Sequence, residues 1–585
     1  MRFTPDNHLR TGLPRGEKIP ASARARGLLA ASALFWIAGT LSAALFCGCG
    51  ESATPAELAA REGVLLVNNG GEPSALDPQF AQPGVIENRI LLALFEGLVA
   101  YDPRTLAPVP ALAESWETSA DGRTWTFRLR EDAKFSDGAP ITSADFLFSF
   151  RRILSPKLAS PCASLFFAPV KNARAFATGR LTDFAQVGFS APDARTLVVE
   201  LESPCPYFLS LACHSSWSVV PEHAILKFGA IDERSTRWTR PENFVGSGPF
   251  RLKSWRVAYR IEVEKNPFHR AAARIALRGI RFDAVEDQFA EEKAFNDGQY
   301  HVTNTVPPSR VPVLRAEASP TLRLDPYLST AFVRVNCARP PLDDPRVRRA
   351  LSLALDRRAL AERVMRGGET PTATLVPEAA YAACAGTASA APEEASPAEY
   401  AATREREIAE ARRLLAEAGF PGGAGFPEIS YLFNTSDGAQ FFAQAIQEMW
   451  RKNLGVRVEL RNQEYKVYRT SLARGDYELA RSAWSGDYLD PTTFLELFVS
   501  GGHINWTNWN DARYDALLAA AARERVPAAR ERLLRDAEAI LIDAAPIIPT
   551  LHSRSKFLLD PRVRGWHPNL LDIHPYNAVT LDSGN

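Results

Sequence analysis

The stretch from residue 428 to residue 484 constrains the fold more than any other. It reads "EISYLFN", then "AQFFAQAIQEMWRKNLG", then "VRVELRNQ", then "YELARSAW". The first piece is a short apolar run and the second has helical spacing. The third alternates Val456, Val458 and Leu460 across a strand. Strand, helix and strand joined by short links predict a right-handed parallel crossover. "YELARSAW" then supplies a further strand in an α/β lobe. The segment Trp484–Tyr488 follows directly, so it falls just past the carboxyl end of a strand. Open α/β sheets bind their ligands there.

The front half reads differently. "RTWTFRLR" alternates Trp125, Phe127 and Leu129, "DARTLVVELESP" does the same around Leu197, Val199 and Leu201, and "VGSGPFRLKSW" is a Gly-rich turn into a strand. At 585 residues the chain is too long for one hydrophobic core, so two or three lobes are expected. In "DDPRVRRALSLALDRRALAERVMRGG", Asp344 caps a helix with Pro345 at its first position, and Gly367 and Gly368 close the stretch. Residues 377–405 are rich in Ala, Pro, Ser and Glu and read as a mobile surface insertion.

The N-terminus reads as an export signal. Basic "RGEKIPASARAR" precedes the apolar run "GLLAASALFWIAGTLSAALF", which ends in "CGCG" and a polar tether "ESATPAEL". An uncleaved membrane anchor is the competing reading, because the run is about as long as a span. Net charge is +0, so no basic footprint for nucleic acid exists.

Catalytic signatures are missing: HExxH, GxSxG, a Walker loop and a strand-borne GxGxxG are all absent, and the nine histidines form no cluster. The reading is therefore not an enzyme, with no cofactor and no metal. Among the five cysteines beyond the export signal and Cys49, Cys205 and Cys213 are the one close pair; a helix between them would hold them roughly 12 Å apart, too far for a disulfide.

With these pieces placed, the chain resembles the family 5 extracellular solute-binding proteins, the oligopeptide- and dipeptide-binding lipoproteins that feed ABC transporters. The resemblance rests on "NNGGEPSALDP", "LFEGLVAYDP", "VGSGPFRLKSW", "DDPRVRRALSLALDR", "EARRLLAEAGF", "FNTSDG", "NQEYKVY" and "WSGDYLDPTTFL" in that order, and looks closest to the oligopeptide branch. It implies an α/β fold: a bilobal clamp of the periplasmic-binding type (type II, large cluster) with an extra strand-rich subdomain and a two-crossing hinge. The divisions expected are a signal peptide at 1–48, a tether at 49–62, and lobe I from 63–94, 220–270 and 554–585. An inserted subdomain at 95–219 and lobe II at 271–553 complete them. The box around Cys49 resembles a lipobox, with Cys49 lipidated and Cys47 the second choice.

The resemblance implies that Asp487 takes the α-ammonium of a peptide, with Trp484 and Tyr488 as apolar walls and Gly486 permitting close backbone approach. Arg481 matches a position that meets a short peptide's carboxyl terminus. Asn434 matches a cleft position; in the stretch that pairs with ligand backbone, Ser247 replaces the usual Asn, while Gly246 and Gly248 still allow backbone pairing. Without the resemblance, the alternative is that Asp487 caps a turn, Asp490 caps the helix after Pro491, and Arg481 is a solvated strand-end side chain. Cys162, Leu472 and Ala439 replace the branch's usual Tyr and basic residues, and "PTLHSRS" lacks its tyrosines, so the carboxyl end of the site looks rebuilt. The expected function is the substrate-binding component of an ABC importer, capturing oligopeptides for a membrane permease. The alternative is the same fold binding a murein peptide, dipeptide, nickel complex, sugar or opine. A monomer, exported to the periplasm or cell surface and anchored by lipid, completes the expectation.

Overall fold

The computed structural model describes residues 53–80, 85–167, 169–385 and 396–583. The export signal, Cys47, Cys49 and residues 386–395 lie outside the described residues.

Two long antiparallel strands, Leu322–Val335 and Ile547–Leu558, run from one lobe into the other. At one end Leu322 to Pro326 pair with Leu558 to Arg554, beside Val302, which bridges to both Leu559 and Val67. That end joins the first lobe. At the other end Thr330 to Arg334 pair with His552 to Ile547 inside the six-stranded sheet of the second lobe. Between Pro326 and Thr330 the register shifts: one strand advances four residues while the other advances two, from Arg554 to His552. The extra residues make a β-bulge, which bends and twists a strand locally.

The first lobe is built on a four-stranded sheet ordered Val64–Asn68, Gly279–Asp283, Arg260–Lys265 and Phe250–Arg256. Gly279–Asp283 thus sits in this sheet, beyond residue 270, where the sequence had placed the boundary of lobe I. A buried ion pair ties this lobe to the helix Ser143–Ile153: Arg152 donates to Asp77 at 2.6 and 3.0 Å and to Gln79 at 2.9 Å. The strand-rich subdomain holds an antiparallel sheet of Ala113–Thr118, Thr124–Leu129, Thr196–Glu200 and Phe189–Asp193. Its core is aromatic, with Phe166 stacked on Trp217 at 4.2 Å.

The second lobe orders its strands Thr370–Pro371, Ile547–Leu558, Leu322–Val335, Leu479–Ser485, Ile429–Asn434 and Val458–Gln463. Ile429–Asn434 and Val458–Gln463 pair in parallel across the helix Asp437–Leu454, as the crossover reading requires. Asp344 caps Pro345–Leu353 by accepting from the Arg346 amide, but that helix stops at Leu353 and Asp356 caps a new one over Arg357–Ala359.

Two further readings are corrected. Part of the expected tether is a helix, Pro55–Glu62, closed by a capping box between Thr54 and Glu57. Its Ala56 carbonyl accepts from His301 Nε2 at 2.9 Å, while His301 Nδ1 accepts from the Leu66 amide at 2.9 Å. The expected insertion is helical on both flanks, Glu378–Ala385 and Pro397–Glu417, and Tyr381 in it is buried against Glu538 at 2.8 Å. Phe208–Ala212 is helical, and Cys205 and Cys213 on either side of it form no disulfide.

Candidate functional site

Strand Leu479–Ser485 carries most of the candidate residues, and what lies along its edges decides what it can do. On one side it is fully paired, from Ser485 opposite Ser329 to Leu479 opposite Val335. On the other side the ladder with Ile429–Asn434 is recorded only at Tyr431–Leu479 and Leu432–Ala480. From Arg481 to Ser485 that edge has no strand partner among the described residues, although the Arg481 carbonyl accepts from the Tyr468 hydroxyl. Ala483 and Ser485 are exposed along it. Unpaired main-chain groups on a strand edge are a template for an extended chain.

Arg481 stands at one end of this open edge. Its guanidinium donates to Asn434 Oδ1 at 3.2 Å and forms no ion pair among the described residues. Two residues nominated separately in the sequence therefore meet. Leu472 and Ala439 are core residues, each 1% exposed, and offer nothing to a ligand.

Asp487 stands at the other end. Its amide donates to Thr493 Oγ1 at 3.0 Å, which fixes the turn, while among the described residues its carboxylate has no cation and no hydrogen-bond donor. Burial alone pushes its pKa up to about 6. The side chain keeps partial exposure, so the carboxylate is ringed by protein yet reached by solvent. Its surroundings are neutral acids. The Cys162 thiol is pushed up to about 12 by burial and then by the Asp487 charge. The Tyr101 phenol is raised by burial, then by Cys213 and Asp487. Tyr327 is raised chiefly by burial, with a hydrogen bond to Ser485 acting the other way. A partly desolvated carboxylate without a counter-ion is costly, and it is complementary to a cation arriving from the cleft.

The remaining nominated residues make contacts within the protein. Tyr488 is buried and stacks on Tyr207, with centroids 5.0 Å and planes 4° apart. Trp484 packs with the second lobe's core, and its indole Nε1 has no hydrogen-bond partner among the described residues. A Cβ at Gly486 would lie 2.5 Å from Leu328 Cδ2, so this glycine makes room for the hinge strand, and its amide donates to the Leu328 carbonyl at 2.8 Å. Gly246 exchanges hydrogen bonds with Ser136, at 3.0 Å to Oγ and 2.8 Å from the Ser136 amide. The Ser247 hydroxyl is fully buried; it accepts from the Glu96 amide at 3.0 Å and faces the Val219 carbonyl at 3.2 Å. Asp490 accepts from the Thr492 amide and hydroxyl at 3.0 and 2.7 Å and pairs with Arg530, but the helix Thr492–Leu495 has Pro491 rather than Asp490 at its N-cap.

Known proteins supply the family. The description "bacterial extracellular solute-binding proteins, family 5" fits residues 107–506. The chain belongs to this family. The periplasmic oligopeptide-binding protein OppA of Salmonella typhimurium is 35% identical over 457 residues, covering 78% of this chain and 80% of that protein. Among solved structures, the Escherichia coli murein tripeptide-binding protein MppA superposes with TM-score 0.74 at 32% identity, covering 88% of this chain and 98% of MppA. Haemophilus influenzae OppA, in complex with the peptide RPPGFSPFR, gives TM-score 0.73 at 30% identity, covering 89% and 99%. The fold is thus the bilobal one of periplasmic solute-binding proteins. Family 5 is a family of solute-binding proteins, not of enzymes.

Sequence reasoning missed Tyr101, Tyr327, Tyr207 and Glu496. Tyr101 and Tyr327 approach Asp487 only through the fold, and no local pattern marks them. Tyr207 lay in "PYFLSLA", a stretch weighed only for its cysteines.

Proposed function

We propose that this protein is the substrate-binding component of an ABC importer and captures short peptides between its lobes. One observation carries the reading: Asp487, a carboxylate without a counter-ion among the described residues, lies at one end of an open strand edge, and Arg481, with no anionic partner among them, lies at the other. The ligand's α-ammonium meets Asp487 through a charge-assisted hydrogen bond. Its carboxylate meets the guanidinium of Arg481, whose fork suits two parallel bonds. Asn434 orients that guanidinium from the neighbouring strand. The peptide then runs antiparallel to Leu479–Ser485, adding as a strand. From Arg481 to Ser485 the edge advances four residues, roughly 13 Å, which suits about three or four ligand residues. The buried Leu472 and Ala439 support a short ligand, since neither can receive a more distant carboxylate.

The relatives' ligands support peptides over the non-peptide solutes: an OppA is solved with a nonapeptide, and MppA is named for a murein tripeptide, itself one of the alternative ligands. Gly246 and Ser247 remain in the proposal as the stretch that pairs with ligand backbone, and Trp484 and Tyr488 as the apolar residues that flank the Asp487 turn. Export, a lipid on Cys49 (or Cys47), a monomeric state and delivery to a membrane permease belong to the same proposal.

Mass spectrometry of ligands released from the purified protein tests it directly. Free-ended peptides of about three to four residues are expected. A non-peptide solute in their place refutes the reading.

A further inference from the structure

Tyr207 has no role in the ligand site as drawn, yet it contacts three residues of the second lobe, Glu496, Tyr488 and Arg530, from the strand-rich subdomain. It precedes the short helix Phe208–Ala212, and its ring is buried. Its hydroxyl donates to Glu496 Oε1 at 2.8 Å, across 289 residues of chain. Its ring lies parallel to that of Tyr488, 5.0 Å away. The Arg530 guanidinium sits 5.5 Å from the ring centroid and is pinned by Asp490 at 2.7 and 2.8 Å, both side chains at most 5% exposed. The subdomain and the second lobe share no sheet among the described residues. Side chains rather than a main-chain ladder make this joint.

The joint lies one residue from Asp487, because Tyr488 follows it directly. The same subdomain supplies Tyr101 and Cys162, whose ionisation responds to the Asp487 charge. One end of the cleft is therefore closed by the subdomain, and Tyr207 is its fastening. Glu496 is exposed by surface area although protein crowds its carboxyl, as a side chain in a crevice between two bodies would be.

We propose that Tyr207 is a positioning residue for ligand retention: by stacking on Tyr488 and bonding Glu496, it locks the strand-rich subdomain against the Asp487 turn and keeps that end of the cleft shut over a bound ammonium group. The proposal rests on the peptide reading above. A fastening that forms as the cleft shuts acts on release more than on capture, so its loss appears in koff.

Stopped-flow fluorescence with a dye-labelled tripeptide, run on the full mature protein, tests it. Tyr207→Ala is expected to raise koff by about tenfold or more, as loss of an aromatic stack and a carboxylate hydrogen bond implies, with kon within about twofold. Tyr207→Phe keeps the stack and is expected to give an intermediate koff. It also keeps the test decisive if the alanine variant fails to fold. Unchanged koff in Tyr207→Phe, with Asp487→Asn strongly weakened, overturns the latch and leaves the peptide reading intact. Faster release in Tyr207→Phe with Asp487→Asn unchanged leaves the latch and overturns the ammonium site. A wild-type protein that binds no peptide overturns both.

Discussion

Replacing Asp487 with Asn separates a ligand-binding carboxylate from a structural one, because the two roles give opposite signs. Burial raises the Asp487 pKa from 3.8 to about 6 with no compensating partner. The folded empty protein therefore holds the proton more tightly than the unfolded chain does. Stability from this group is greatest at low pH and is lost as pH rises from 3.8 towards 6. Above that window the cost reaches at most about 3 kcal/mol, reduced by the side chain's partial exposure. Asp487→Asn removes this cost, so the empty variant is expected to melt higher than wild type at pH 7.5, with the difference shrinking below pH 5. Affinity moves the other way. Losing a charge-assisted hydrogen bond worth about 1.5–3 kcal/mol weakens tripeptide binding roughly 10- to 150-fold. The wild type should also bind roughly tenfold more weakly at pH 5 than at pH 7, because only about one Asp487 in ten is ionised there, whereas the variant's affinity should be flat over that range. Calorimetric melting of the empty protein and titration calorimetry at both pH values read these effects. A variant that melts lower than wild type and binds peptide equally well refutes the reasoning.

Three other outcomes are expected. Arg481→Met should weaken free-acid tripeptides by at least tenfold and leave C-terminally amidated ones nearly unchanged, as titration calorimetry would read. Gly486→Ala places a methyl 2.5 Å from Leu328 Cδ2; it should cost about 1–3 kcal/mol in denaturant stability and weaken binding, and pairing it with Leu328→Ala should restore part of the affinity. Arg152→Met strands the Asp77 carboxylate, whose ion pair with Arg152 leaves those side chains 9% and 1% exposed, and should destabilise the protein by about 3–5 kcal/mol in chemical denaturation.

The sequence was most readable where one rule governs a whole element. The alternation in "VRVELRNQ" and the helical spacing of the segment before it gave the parallel crossover, because the buried face alone sets both periods. The Asp344–Pro345 start was equally legible, since a cap is a local bond. Its end was not: the long apolar stripe hid a second cap at Asp356 that restarts the helix. The helix at Pro55–Glu62 carried a readable signal, the Thr54–Glu57 capping box, masked by its place beside a polar linker. At the site, Arg481, Asn434 and Asp487 were nominated from motifs, but their geometry depends on where one strand stops pairing. The bond between Tyr207 and Glu496 crosses 289 residues, and no window along the chain contains it.

The bulge in the crossing strands has a mechanical consequence. The Leu328 carbonyl, inside the bulge, accepts from the Gly486 amide at 2.8 Å, and the Leu328 amide donates to the Leu570 carbonyl at 2.7 Å. One residue thus grips the turn before Asp487 with one hand and the C-terminal segment with the other. Under the proposed peptide reading, flexing the molecule at this point carries the ammonium-binding carboxylate along with it, so that prying the two halves apart is itself enough to unload the ligand.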